Sequence, residues 1–179
     1  MEKKPKYEEL EQKIAVLHTT LRRYKDLYER SPLPYHSLDK GGFFVNVNYT
    51  WLNLLGYDKH EVIGKNYGDF LHPDWKQVFA TKFPYFLKTG EVQDVYFKIR
   101  HKDGHYIDIS LDGCINTDED GSFLNTNCVF TDISERMKVQ KDLKESEERF
   151  RQIAKNSRMW IWEVNAEGLY TYSSNSCES

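Results

Sequence analysis

The sequence predicts an α+β fold, in which a five-stranded antiparallel sheet carries several short helices on one face and is flanked by coiled-coil-like helices at both ends. Three observations predict it. Apolar and polar residues alternate near residues 95–100 and 107–112, and a third strand-like segment spans 123–131. Asp-Gly turns at 102–104 and 118–121 join these segments into a meander. Heptad spacing in two charged segments predicts the flanking helices.

A hairpin supplies the other two strands. The segments 35–38 and 43–47 flank the turn Asp39-Lys40-Gly41-Gly42, where glycine lets the chain reverse. Helical segments are predicted at residues 49–57, 59–64, 67–71 and 74–88. Gly90 ends the last of them, so the helices lie between the hairpin and the meander in the chain.

Residues 7–28 carry apolar side chains at alternating intervals of three and four. This seam consists of Tyr7, Leu10, Ile14, Leu17, Leu21, Tyr24 and Tyr28. So narrow a stripe favours a dimeric coiled coil over the alternative, an amphipathic helix lying on its own domain. The helix after the meander has a second seam, consisting of Val139, Leu143, Ser146, Phe150 and Ile153. The polar Ser146 weakens that seam, which suits a helix that moves between two states.

The chain repeats itself with an offset of 126 residues, under which Asp39 meets Asn165 and Gly42 meets Gly168. A second copy of the module is therefore expected to begin near Arg149 and to stop after its first hairpin. So short a copy cannot bury a core, and we expect its tail to be disordered or to borrow a partner. The predicted divisions are 1–30 (coiled-coil helix), 31–134 (first module), 135–156 (linker helix) and 157–179 (truncated second module).

The segment from Val129 to Arg136 predicts a strand that becomes a helix with no loop between. Asp132 suits an N-cap, Glu135 lies three residues on as in a capping box, and the charged helix is expected from Arg136. Residues Asp132, Ile133, Ser134, Glu135 and Arg136 are therefore expected to pass a change in the sheet on to the helix.

Charge, apolar run length and cysteine content restrict the classes of function that the chain can have. With a formal net charge of −3, the chain of 179 residues does not favour a nucleic-acid surface. No apolar run reaches about 18 residues, so no membrane span is expected. Three scattered cysteines predict free thiols in a reducing, cytoplasmic setting. Cys114 and Cys128 fall on successive strands, where two small half-buried residues are the simpler interpretation and a redox pair the alternative.

The order of these motifs resembles the PAS sensor family. Asp39-x-x-Gly42 followed by Asn48 is similar to its opening hairpin, and Phe70-Leu71-His72-Pro73-Asp74 to the stretch before its long helix. Lys102-Asp103-Gly104 resembles a turn of its sheet. Asp132-Ile133-Ser134 resembles its exit motif, with serine where threonine is usual. The match covers about 31–136.

The resemblance implies a sensory and dimerisation module that has no enzyme activity of its own. It implies a homodimer through the flanking helices, with seam residues Leu10, Ile14, Leu17, Leu21, Leu143 and Phe150. A downstream output domain in the same parent chain is expected, most commonly a sensor histidine kinase. The alternatives are a diguanylate cyclase and a ligand-free protein-interaction adaptor.

PAS domains often hold a ligand between helices and sheet, and the alternative is a core filled by its own aromatic side chains. If a pocket exists, the expected lining is Tyr67, Phe79, Phe83, Phe97, Ile109 and Cys128. A flavin photosensor of the cysteinyl-adduct type is not expected, because Tyr67 stands where the family's reactive cysteine would be.

Four histidines were natural candidates for a haem ligand: His60, His72, His101 and His105. His72 precedes Pro73 at a predicted helix start, and His101 and His105 flank a turn where they are expected to be solvated. Haem is therefore not expected. The sequence shows no clustered metal ligands, so no metal site is expected either.

Overall fold

The computed structural model describes residues 7–156 and 162–173, which divide into two compact units between Ile133 and Ser134. The first unit contains α1 (Tyr7–Glu29), β1 (Tyr35–Leu38), β2 (Phe44–Val47), α2 (Tyr49–Leu55), α3 (Lys59–Val62), a 3₁₀ turn (Tyr67–Phe70), α4 (Pro73–Thr89), β3 (Glu91–Arg100), β4 (Tyr106–Thr117) and β5 (Phe123–Asp132). The second contains α5 (Ser134–Asn156), β6 (Trp162–Val164) and β7 (Tyr170–Ser173).

The first unit is built on an antiparallel five-stranded sheet in the order β2-β1-β5-β4-β3, which confirms the predicted fold class. Strand β3 begins at Glu91, before the alternating segment that predicted it. A β-bulge between Val92 and Val95 breaks the period of two there. Asp94 takes a left-handed conformation in the bulge (φ 51°), and its amide donates to Asp112 Oδ1 at 2.8 Å.

The two hairpins related by the 126-residue offset share one turn geometry. Asp39 Oδ1 accepts from the backbone amides two and four residues on, at 2.8 and 2.9 Å, and Asn165 Oδ1 does the same at 3.1 and 2.8 Å. Gly42 and Gly168 both adopt positive φ, at 78° and 81°. Residues 162–173 thus form a hairpin, so the expectation of a disordered tail is wrong for them, while 157–161 and 174–179 lie outside the described residues.

Asn48 ties the first hairpin to the helices. Its side chain is fully buried and makes four hydrogen bonds at 3.0–3.2 Å. Its Oδ1 accepts from the amides of Tyr35 and Trp51, so Asn48 caps α2. Its Nδ2 donates to the carbonyls of Tyr28 and Leu33, so the end of α1 is fastened to the same point.

The core lies between the helices and one face of the sheet. Its largest fully buried side chains include Trp51, Tyr67, Phe44 and Phe130. Within the described residues, no helix is long and apolar enough to cross a membrane.

Candidate functional site

A cavity of about 540 Å³ lies between α4 and the inner face of the sheet. Its lining comes from strands β1, β3, β4 and β5, from the 3₁₀ turn and from α4. The lining residues are His36, Leu38, Tyr67, Phe79, Thr81, Lys82, Phe83, Tyr85, Phe86, Val92, Val95, Phe97, Leu111 and Cys128. The volume is in the range of small-molecule sites in proteins.

The cavity walls are mostly apolar, but two buried polar side chains in them have no partner among the described residues. Phe79, Phe83 and Phe86, each at most 8% exposed, form the α4 side. Both ring nitrogens of His36 and the hydroxyl of Tyr67 are buried with no hydrogen-bond partner among the described residues. A buried polar atom without a partner costs about 1–3 kcal/mol, so groups of this kind call for an explanation.

His36 and Tyr67 form one uncharged polar patch. Their rings stack with centroids 4.9 Å apart and an interplanar angle of 18°. Burial lowers the pKa of His36 to about 3, and burial raises the pKa of the Tyr67 phenol well above its usual value. Near neutral pH the patch therefore offers a neutral imidazole, with one donor and one acceptor nitrogen, and a phenol hydroxyl.

Cys128 lies beside this patch and is 2% exposed. Burial raises the pKa of its thiol to about 12, so the sulfur is protonated and a weak nucleophile near neutral pH. The residue opposite on β4 is Gly113, where an added Cβ would lie 2.7 Å from Cys128 Sγ. Glycine is needed there because the thiol occupies the space that a side chain would fill.

The alternative of a redox pair between Cys114 and Cys128 is wrong. Cys128 pairs with Gly113 and Cys114 pairs with Asn127, so side-chain alternation places the two sulfurs on opposite faces of the sheet. Cys114 is exposed, whereas Cys128 is buried. The third cysteine, at position 177, lies outside the described residues.

Five of the six residues expected to line a pocket border the cavity, namely Tyr67, Phe79, Phe83, Phe97 and Cys128. Ile109 is fully buried in the core but does not line it. Leu111 lines the cavity from β4 instead. It lies on the same face of the strand as Ile109 but two residues, or about 7 Å, further along, where the cavity is.

Among the lining residues that the sequence did not predict, His36 bears most directly on the chemistry of the cavity. The four histidines considered for haem lie elsewhere: His60 is exposed on α3, His72 caps α4 by accepting from the Asp74 amide, and His101 and His105 flank the β3–β4 turn. The signal was available in β1, because alternation places His36 on the same face as the apolar Leu38.

The expectation that the chain has no clustered metal ligands is contradicted at the β3–β4 turn. Ligand atoms of His101, Asp103 and His105 all lie within 4.8 Å of one another. The Asp-Gly signal predicted the turn but not the convergence of these side chains, which depends on the strand pairing around it.

At the junction, β5 extends to Asp132, which pairs with Ile109 on β4. The amide of Ile133 donates to the carbonyl of Asp108 at 2.8 Å, and α5 begins at Ser134, two residues before the predicted start at Arg136. Asp132 is therefore the last strand residue, and Ile133 separates it from the helix. Glu135 falls in the first turn of α5, where a negative charge is favourable.

The predicted seam residues are exposed in both flanking helices. Leu10, Ile14, Leu17 and Leu21 of α1 are 44–69% exposed, and Leu143 and Phe150 of α5 are 60% and 55% exposed. Contiguous exposed apolar side chains of this kind mark a surface available to a partner.

Comparisons with known proteins identify the fold. The family model described as the PAS fold matches residues 44–130. The uncharacterised protein y4lL of Sinorhizobium fredii is 30% identical over 160 residues, which is 89% of this chain. The chain spans only 19% of the length of that relative.

Solved structures show the same architecture. The PAS domain of an HTR-like protein from Haloarcula marismortui matches with a TM-score of 0.58 at 23% identity, over 69% of this chain and 99% of that one. The N-terminal domain of a diguanylate cyclase with a PAS/PAC sensor, from Marinobacter aquaeolei, matches with a TM-score of 0.52 at 17% identity, over 59% of this chain and 98% of that one. At these identities the likeness concerns the fold.

The burial of His36 predicts that the free energy of unfolding depends on pH. Its pKa is about 3 in the folded protein and near 6.5 when unfolded, so the unfolded chain binds the extra proton between these values and stability falls as the pH falls through this window. Between about pH 7 and about pH 5 this should cost about 2 kcal/mol of unfolding free energy. His36→Phe should lack this loss, as measured by urea unfolding at both pH values.

His60→Phe is the matched control for that experiment, because His60 is exposed on α3. It should keep the pH dependence of the unmodified protein. If His36→Phe and the unmodified protein lose stability equally, His36 is not held neutral by burial.

Proposed function

This chain contains a PAS domain, a sensory module, and from that premise we propose that it detects a small molecule in the cavity between α4 and the sheet. The observation that carries the proposal is a pair of buried lining residues, His36 and Tyr67, whose polar atoms have no hydrogen-bond partner among the described residues. A ligand-free adaptor would gain stability by replacing both with apolar side chains. A ligand that hydrogen-bonds to them explains why they are there.

The lining restricts the chemistry of the ligand. Phe79, Phe83 and Phe97 favour a flat or aromatic body of low polarity. Because His36 is neutral, the deep end suits an uncharged group that both donates and accepts hydrogen bonds, such as a phenol, an amide or an oxime. Lys82 lines the cavity from the exposed side of α4 and would tolerate an anionic substituent there.

The proposed signal runs along β5. His36 on β1 pairs with Cys128 on β5, so a ligand that moves the imidazole acts on the central strand. That strand continues to Asp132, and the Ile133 amide is bonded to β4 at the point where the chain leaves the sheet. We propose that this step transmits the change into α5, and that the exposed seams of α1 and α5 form a parallel homodimer.

The proposed output domain belongs to a larger parent chain and is a histidine kinase, the commonest arrangement in the family. A diguanylate cyclase is the second candidate, which the structural likeness to the Marinobacter domain favours. The chain itself is proposed to be non-catalytic. Its buried thiol is protonated near neutral pH, and the cavity presents neutral hydrogen-bonding groups rather than an acid–base pair.

Native mass spectrometry of freshly purified protein tests the ligand. The spectrum should show the polypeptide plus a non-covalent adduct, and denaturing spray should remove the added mass. His36→Phe removes the hydrogen-bonding nitrogens and should lose the adduct, while the exposed control His60→Phe should keep it. A bare polypeptide in every native spectrum would overturn ligand sensing and favour the adaptor.

The homodimer is tested by charge substitutions in the seams. Leu17→Glu in α1 and Leu143→Glu in α5 place like charges against each other across a dimer, and each should weaken self-association at least tenfold in sedimentation analysis. Thr19→Glu is the matched control, because Thr19 lies on the side of α1 that faces away from the seam. It is two residues, or about 200° around the helix, from both Leu17 and Leu21. Unchanged association in both seam variants would contradict dimerisation through these helices.

A further inference from the structure

Three potential metal ligands converge at the tip of the β3–β4 hairpin. Asp103 Oδ1 lies 3.0 Å from His101 Nδ1 and 2.5 Å from His105 Nδ1. The two imidazole rings stack with centroids 4.4 Å apart and an interplanar angle of 20°. The side chains of His101, Asp103 and His105 are 23%, 63% and 55% exposed, so an ion in solution can reach them.

The backbone holds these side chains in place. The His101 amide donates to the His105 carbonyl at 2.8 Å, and Gly104 adopts a φ of 102° that other residues avoid. The other edge of the His101 ring packs closely against Gly56. A Cβ at position 56 would lie only 2.9 Å from His101 Nε2, so there is no room for a side chain there. The hairpin therefore presents Nδ1, rather than Nε2, toward Asp103.

The three side chains already meet at one oxygen. Asp103 Oδ1 lies close to Nδ1 of both His101 and His105, and it accepts from the His105 amide at 3.1 Å. The Asp103 amide lies 3.2 Å from His101 Nδ1, so the backbone of the turn holds the carboxylate and this imidazole together. A cation at this point would be attracted by the carboxylate and within reach of both rings.

The neighbouring lysine does not compete for this carboxylate. Lys102 Nζ is directed to the α3 region, 2.7 Å from Glu61 Oε2 and 3.5 Å from Asp58 Oδ2. The positive charge of Lys102 is therefore paired with Glu61 and Asp58 and not with Asp103.

We propose that His101, Asp103 and His105 bind one divalent transition-metal ion, of which zinc is the representative, with water completing the coordination. Imidazole nitrogen and carboxylate oxygen together suit zinc, copper and nickel rather than calcium or magnesium. Ligand atoms around tetrahedral zinc are about 3.3 Å apart, so rotations of exposed side chains complete the geometry. Three protein ligands on one short hairpin make an exchangeable site, and its existence is independent of the ligand cavity.

Calorimetric titration of zinc into the full chain, in a reducing buffer that does not bind zinc, tests the site. His101→Asn is the sharpest variant, because an asparagine there keeps an acceptor for the Asp103 amide, as Asn165 accepts from the amide two residues on in its own turn. His105→Asn removes the second imidazole. Each should lower the zinc affinity at least tenfold, whereas binding to the unmodified chain should saturate at one ion.

Two control variants separate this site from other zinc-binding groups. His60→Asn removes an exposed histidine on α3, and Cys114→Ser removes an exposed thiol. Both should bind zinc as the unmodified chain does. The proposal is overturned if zinc does not bind, if His101→Asn and His105→Asn bind it with unchanged affinity, or if Cys114→Ser abolishes binding.

Discussion

The rest of the structure depends on the pairing of β1 with β5. Tyr35 pairs with Val129 and His36 with Cys128, so the N-terminal hairpin and the C-terminal meander become one sheet. Side chains reinforce the pairing: Ser37 Oγ donates to the Thr126 carbonyl at 2.7 Å, and the Tyr35 hydroxyl bonds the Asn127 side chain. Because these strands are about 90 residues apart in the chain, their contact carries a large loop-closure cost, which the shared core must offset.

The same pairing buries polar groups in the cavity wall at a cost in stability. It places His36 beside a buried thiol and against Tyr67, where none of the described residues pairs with the polar atoms. Aromatic stacking and the surrounding apolar contacts stabilise the site but do not remove the cost of the unpaired groups. If the proposed ligand hydrogen-bonds to these groups, its binding recovers this cost, which couples occupancy to the stability of the domain.

The sequence predicted the local features well and the long-range ones poorly. The strands follow from the alternation of apolar and polar residues, the Asp-Gly turns from their turn residues, and the end of α4 from its capping glycine. Each of these signals depends only on residues that are neighbours in the sequence. The bulge at Asp94, the opposite orientations of Cys114 and Cys128, and the approach of His101 to His105 follow from strand register, which local signals do not specify. His36 belongs to no turn, cap or ligand motif, and its place in the alternation of β1 is the one local signal that puts it inside.

In the proposed mechanism, occupancy of the cavity changes the backbone where β5 leaves the sheet. The most direct measurement is amide hydrogen exchange by NMR at Ile133, whose amide is bonded to Asp108, in protein as purified and after refolding free of small molecules. The Gly121 amide, in the distal β4–β5 turn, serves as the internal reference. Protection at Ile133 should differ at least threefold between the two samples, while protection at Gly121 is unchanged. Changes confined to α4, with Ile133 identical in both samples, would contradict signal transfer through β5.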